Sequence, residues 1–165
     1  MTEKLILDAC CGGRMFWFDK QNPNVLFQDI RQGEKGIVCP IRPSFEVKPD
    51  VIGDFRSMSY HDKSFKMVVF DPPHLLSGGK TGWQVQKYGL MNKQTWKEDL
   101  SYGFKECWRV LEDYGVLVFK WNEESIPIQK VLELFPEQPL FGHPTAKSGK
   151  TKWCVFMKIV KQVQQ

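Results

Sequence analysis

The sequence predicts an α/β fold on a mostly parallel central sheet, closed by an antiparallel hairpin near the C-terminus. Three observations carry this. Short apolar runs recur, and each stops at or shortly before a carboxylate: Leu5-Ile6-Leu7 before Asp8, Val25-Leu26-Phe27 before Asp29, Val51-Ile52 before Asp54, and Met67-Val68-Val69-Phe70 before Asp71. Runs without polar alternation suit strands buried on both faces of a parallel sheet. Long connections or a helical period separate them, as parallel crossovers require, and such crossovers are right-handed. Finally, Leu140-Phe141 and the run from Trp153 to Ile159 flank a basic turn, Lys147 to Lys152, and read as the closing pair.

Taken in order, Leu5 to Leu7 opens the sheet and Asp8 to Gly13 follows as a turn of small residues. Arg14 to Lys20, with Met15, Phe16 and Phe18, is expected to be a short helix, and Asn22-Pro23-Asn24 a turn. Ile30 to Lys48 is rich in Gly, Pro and charge and has no helical period, so it reads as an irregular connection with a small hairpin. The pair Pro72-Pro73 ends the fourth strand, because proline has no N–H for the ladder and a fixed φ. Leu75 to Gln94 carries Gly78, Gly79, Gly82 and Gly89; with its flank to Lys97 it is expected to be a loop that acts as a substrate lid. Thr95 to Leu111 is the clearest helix, since Trp96, Leu100, Phe104, Cys107, Trp108 and Leu111 recur at three- and four-residue steps, with Thr95 as N-cap. Gly115 opens a strand over Val116 to Phe119 that ends at Lys120-Trp121-Asn122, and Ser125 is expected to cap a last helix through Leu134. The 165 residues fit one domain, with no internal repeat.

A hydrophobic content of 42% is that of an ordinary globular chain, and a net charge of +4 permits an anionic partner without requiring one. The five cysteines include no CxxC, and His61, His74 and His143 stand apart, so neither a zinc site nor a disulfide framework is expected. Reduced thiols point to the cytoplasm. Met1 to Lys4 leads straight into a strand, which argues against a signal peptide, and no stretch is long and apolar enough for a membrane span.

In open α/β sheets ligands bind just beyond the carboxyl ends of the strands. Asp71 to His74 stand at such an end, although Asp-Pro-Pro-His is also an ordinary stiff turn. Asp8, Asp29 and Asp54 close three successive strands. The step from Asp8 to Asp29 is about the twenty-residue interval at which an acid meets a ribose in nucleotide-binding βαβ units. A carboxylate there accepts hydrogen bonds from two vicinal hydroxyls, and the small residues Ala9 to Gly13 let backbone approach a ligand. The turn lacks the full GxGxxG pattern. Ser148-Gly149-Lys150-Thr151 looks like the tail of a phosphate loop, but Pro144 occupies its required upstream glycine, so it reads as a solvated turn.

Asp8-Ala9-Cys10-Cys11-Gly12-Gly13 resembles the first motif of class I S-adenosylmethionine (SAM)-dependent methyltransferases. Asp71-Pro72-Pro73-His74 resembles the (Asp/Asn)-Pro-Pro-aromatic motif of amino-methyltransferases that modify adenine. Small phage- and prophage-type methyltransferases have stretches similar to Arg14 to Asp19, Phe70 to His74, Phe119 to Asn122 and Leu140 to His143, so the resemblance covers nearly the whole chain. It implies a Rossmann-like methyltransferase fold and S-adenosyl-L-methionine as cofactor. It also implies that Asp8 to Gly13 cradle the methionine part, that Asp29, followed by Ile30, binds the ribose, and that Asp54 and Phe55 hold the adenine. Asp71 and the carbonyl of Pro72 would accept hydrogen bonds from the target amino group, with Pro73 completing the turn and His74 placed to stack on a flipped base. The implied acceptor is an exocyclic amino nitrogen, adenine in DNA before RNA. A protein glutamine, a guanine, a small amine or a non-catalytic binding module are the alternatives. Two departures stand out: His74 replaces a large aromatic, and Arg14 replaces a third glycine. Arg14 either reaches the cofactor carboxylate or is a surface charge.

A 5-methylcytosine enzyme needs a cysteine after proline, and Cys39-Pro40 has the reverse order. Cys10 and Cys11 read as packing residues. The segment 75–97 carries Lys80, Lys87, Lys93 and Lys97 without an acid, interleaved with Trp83, Tyr88 and Trp96. Basic and aromatic residues together suit single-stranded or flipped nucleic acid. Lys80, Trp83, Lys87 and Tyr88 are therefore candidate substrate contacts, with Lys120 and Trp121 beside the pocket.

Overall fold

The computed structural model describes residues 4–145 and 149–160. The elements in chain order are β1 (Ile6–Asp8), β2 (Val25–Asp29), β3 (Val51–Ile52), β4 (Phe65–Phe70), α1 (Trp83–Tyr88), α2 (Trp96–Val110), β5 (Leu111–Asn122), α3 (Ile128–Leu132), β6 (Phe141–Thr145) and β7 (Thr151–Met157). The strands form a seven-stranded sheet in the order β3-β2-β1-β4-β5-β7-β6. Pairings from β3 through β5 are parallel, and β7 runs antiparallel to both β5 and β6. The expected mostly parallel sheet with a closing antiparallel pair is thus the observed one; the expected basic turn Lys147 to Lys152 lies partly outside the described residues.

The chain winds from β1 outward to β2 and β3, then crosses to β4 and β5 on the other side. The order therefore reverses between β1 and β4, where Asp8 stands opposite Val69. The crevice beyond the carboxyl ends of these two strands is the place where an open α/β sheet binds ligands.

The core explains why the sheet holds. Leu7, Val68, Phe70, Leu117 and Phe119 are fully buried. Helix α2 adds Leu100, Phe104, Cys107 and Val110 from one face. The Phe104 ring stacks on Phe135 at 4.2 Å and meets the edge of Phe156 at 5.3 Å. Burying each large apolar side chain of this kind contributes about 1.5–3 kcal/mol. Gly103 lets α2 come close: a Cβ there would stand 2.6 Å from Phe55 and 2.7 Å from Phe70. Gly103→Ala gains about 1 kcal/mol in helix propensity but overpacks both rings. A net loss of about 1–2 kcal/mol is expected in urea unfolding; an unchanged midpoint would show that Phe55 yields freely.

Several local expectations are corrected. Arg14 to Lys20 forms turns, not a helix. Gly12 and Arg14 adopt φ of 47° and 52°, and two left-handed residues in three prevent a helix from starting. The segment 75–97 is not wholly loop, because α1 lies within it. Thr95 is the N-cap residue of α2 as expected, but its hydroxyl donates to Asp99 Oδ2 at 2.8 Å and makes no capping bond to the backbone. Ser125 does not cap α3, whose N-cap is Pro127; its Oγ accepts from the Leu76 N–H at 3.2 Å. No helix among the described residues is long and apolar enough to cross a membrane. No cluster of His, Cys, Asp or Glu among them is suited to hold a metal ion.

Candidate functional site

The crevice is built from the turn after β1, the end of β2, the Asp-Pro-Pro segment after β4, helix α1 and the end of β5. The turn after β1 sets the floor. Asp8 is fully buried; it accepts from the Trp17 indole N–H at 2.7 Å and from the Cys10 N–H at 3.3 Å. Desolvation raises its pKa to about 7, against the lowering effect of the Trp17 bond. Gly12, in its left-handed conformation, donates its N–H to Asp29 Oδ2 at 2.8 Å. A Cβ on Gly13 would stand 2.5 Å from the Phe45 ring, so the turn needs both glycines.

Asp29, through Arg31, ties this turn to α1. Its Oδ1 accepts from the Arg31 N–H at 2.8 Å and from Arg31 Nε at 3.2 Å. The same guanidinium donates through Nη1 to the Gln86 carbonyl at 3.2 Å and through Nη2 to the Lys87 carbonyl at 3.5 Å, both on α1. Arg31 was absent from the sequence-derived site; an arginine two residues beyond the β2 acid was the available signal.

Two adjoining cavities result, of about 170 Å³ and 250 Å³, and both are lined by Cys10, Arg31, Asp71 and Tyr88. Cys11, Gly12, Gly13, Pro72, Lys87 and Lys120 line the first, together with Met15 and Phe16, which the sequence reading did not place there. Ala9, Asp29, Ile30, Phe55 and Pro73 line the second. Phe55 is set by its edge contact with Phe70 at 5.4 Å.

Asp71 is the shared wall. Lys120, projecting from β5 beside β4, donates to Asp71 Oδ2 at 2.6 Å, and their side chains are only 17% and 13% exposed. Burial raises the Asp71 pKa, and the Lys120 charge and hydrogen bond oppose that rise. Among the described residues no donor reaches Oδ1, so one carboxylate oxygen is left for a ligand. Burial pushes the Cys10 and Cys11 thiols up, so neither is a thiolate nucleophile at neutral pH.

Other sequence-derived candidates lie elsewhere. Arg14 lines neither cavity. Its guanidinium bonds the Lys20 and Lys48 carbonyls and Asp50, and lies 3.8 Å over the Phe27 ring, so it is neither a free surface charge nor a contact for a ligand in these two cavities. Asp54 also lines neither cavity: Arg56 chelates it at 2.6 and 3.0 Å, holding its carboxyl below the usual range. His74 is 5% exposed and lies under Tyr88, ring centroids 4.7 Å apart; it is therefore buried behind the aromatic that lines the cavities instead of facing them. Burial lowers its pKa to about 4, so the imidazole is neutral. Trp121 is a core residue, fully buried, with its indole N–H on the Ile126 carbonyl at 2.9 Å. Lys80 is exposed and outside both cavities, and Trp83 lies in a neighbouring groove.

The fold has many solved relatives. A SAM-dependent methyltransferase from Methanosarcina mazei superposes with a TM-score of 0.61 at 12% identity, over 98% of this chain and 95% of that one. A TehB-like SAM-dependent methyltransferase from Corynebacterium glutamicum gives 0.55 at 17% identity, over 94% and 80%. The N-methyltransferase NodS from Bradyrhizobium japonicum gives 0.51 at 12% identity, over 94% and 85%. No family profile and no curated sequence matches the chain. The chain therefore has the Rossmann-like fold of class I SAM-dependent methyltransferases, and identities this low define the fold alone.

Proposed function

We propose that this chain is a SAM-dependent methyltransferase acting on an exocyclic amino nitrogen of a nucleobase, with adenine in DNA the first acceptor to test. The observation that carries the reading is Asp71. It ends the strand at the sheet's switch point, forms the wall common to both cavities, and keeps one carboxylate oxygen open.

The residues suit the cofactor. The second cavity offers an apolar wall, Phe55, and a buried carboxylate, Asp29, for an adenosine. The two side-chain bonds Arg31 makes to Asp29, at 3.2 and 3.5 Å, are the ones that ribose hydroxyls would replace. Gly12, Gly13 and Lys87 line the first cavity and would receive the amino-acid carboxylate. When bound, SAM supplies an electrophilic methyl group. Asp71 Oδ1 accepts a hydrogen bond from the target amino group and aims the nitrogen lone pair. Lys120 opposes the rise that burial imposes on the Asp71 pKa, and Tyr88 closes the cavity over the base. Rate enhancement on this reading is positioning plus electrostatics.

Calorimetric titration of SAM tests the reading. Binding is expected, with Asp29→Ala weakening it about 10- to 100-fold, the worth of hydrogen bonds to a charged group. Methyl transfer is then measured on DNA, RNA, a glutamine-containing peptide and small amines. Absence of SAM binding would sink the proposal in favour of a non-catalytic module.

A further inference from the structure

Beside the first cavity runs a larger groove of about 500 Å³, which shares Gly12, Gly13 and Met15 with it. We propose that this groove holds the phosphates of a single nucleic-acid strand whose target base is brought to Asp71 at the wall of the first cavity, an inference that rests on the transfer reading above.

Charge is the first ground. The groove is lined by Arg14, Lys20, Lys35, Arg42 and Lys48, with Glu46 as its only acid. That balance equals the net charge of the whole chain, +4, although the chain carries 23 basic and 19 acidic residues. Arg14 is neutralised by Asp50 at 2.9 Å and Lys35 lies 3.5 Å from Glu46. Lys20, Arg42 and Lys48 form no ion pair among the described residues and are exposed. An evenly solvated surface would intersperse both signs.

The second ground is the aromatic wall. Trp83 is held edge-on by Phe45 at 5.2 Å, and the Arg42 guanidinium lies 5.5 Å from its ring. Cations along a groove with an aromatic ring between them suit a strand that presents phosphates and bases together. The third ground is continuity. Trp83 and Lys87 lie one helical turn apart on α1, so the same short helix lines the groove with Trp83 and the first cavity with Lys87 and Tyr88. A strand seated in the groove reaches the cavity over the Gly12-Gly13 turn.

The test is fluorescence anisotropy with fluorescein-labelled single-stranded DNA and RNA oligonucleotides of about twenty nucleotides, across a salt series. The double variant Lys20→Gln, Lys48→Gln changes two exposed side chains outside both cavities, and its fold is checked by its urea midpoint. Its oligonucleotide affinity should fall about tenfold at ~0.1 M salt, and its log–log salt slope should shrink by about 1.4, or 0.7 for each cation removed. SAM affinity should stay at the wild-type value. The DNA and RNA arms show which strand is preferred. An unchanged slope and affinity in the variant would overturn the groove assignment. So would wild-type protein that binds SAM but neither oligonucleotide, and that result would leave the transferase reading standing. Loss of oligonucleotide binding in the variant of a protein that binds no SAM would support the groove and overturn the transfer reading instead.

Discussion

Asp71→Ala protein is expected to lose at least about 100-fold in methyl transfer while its SAM affinity stays within about threefold. The size follows from removing one preorganised electrostatic contact at the reacting atom, which typically costs 10²–10³ in rate. On the proposed reading Asp71 would offer its open Oδ1 to the acceptor, whereas SAM would be held by the glycine turn, Asp29 and the Phe55 wall. The two effects should therefore separate. Single-turnover transfer from labelled SAM, with affinity measured by calorimetry on the same preparation, reads both. Transfer at the wild-type rate would remove Asp71 from the mechanism; loss of SAM binding in step with activity would make it a structural wall only.

The second large effect is a pH dependence of stability that belongs to Asp8. Its folded pKa of about 7 lies above the unfolded value near 3.8. Between these values the native state binds more protons than the unfolded chain. Stability from this group is thus full below about pH 4, falls as pH rises, and levels off above about pH 7. The full shift corresponds to up to about 4 kcal/mol. His74 acts with the opposite sign: its folded pKa of about 4 lies below the unfolded 6.5, so its contribution is present above about pH 6.5 and is lost as pH falls toward 4. Asp8→Asn isolates the first effect, because His74 is common to both proteins. The stability difference, wild type minus variant, should decline by up to about 4 kcal/mol from pH 4 to pH 8 in urea titrations. A constant difference would show that Asp8 titrates as an exposed carboxyl.

Much of this site was legible in the sequence for a local reason. Apolar runs form strands, and an acid or a proline pair at the end of a run ends up at the rim of the sheet. Asp29, Asp71, Pro72, Pro73 and the small residues from Ala9 to Gly13 were all found that way, as was α2 from its spacing. The segment 75–97 was singled out by its glycines and lysines, and Lys87 and Tyr88 within it line the first cavity. Arg14 to Lys20 misled because its aromatic residues suggest a helix, while the Trp17 indole is drawn inward by Asp8 and Arg14 by Asp50, 36 residues away. Trp121 was placed at the pocket because Lys120-Trp121-Asn122 end a strand beside the one that leads to Asp71, but successive strand side chains point to opposite faces: Lys120 goes to the site and Trp121 to the core.

What the sequence determined alone is the set of strand ends and hence the rim on which chemistry is arranged. Tertiary structure decided which rim groups remain open. Asp54 is taken by Arg56, Asp8 by Trp17, and one oxygen of Asp71 by Lys120, 49 residues away, leaving the other. Strand formation depends on neighbours in the chain, whereas the charge and accessibility of a carboxylate depend on partners that only the sheet order β2-β1-β4-β5 brings within a hydrogen bond.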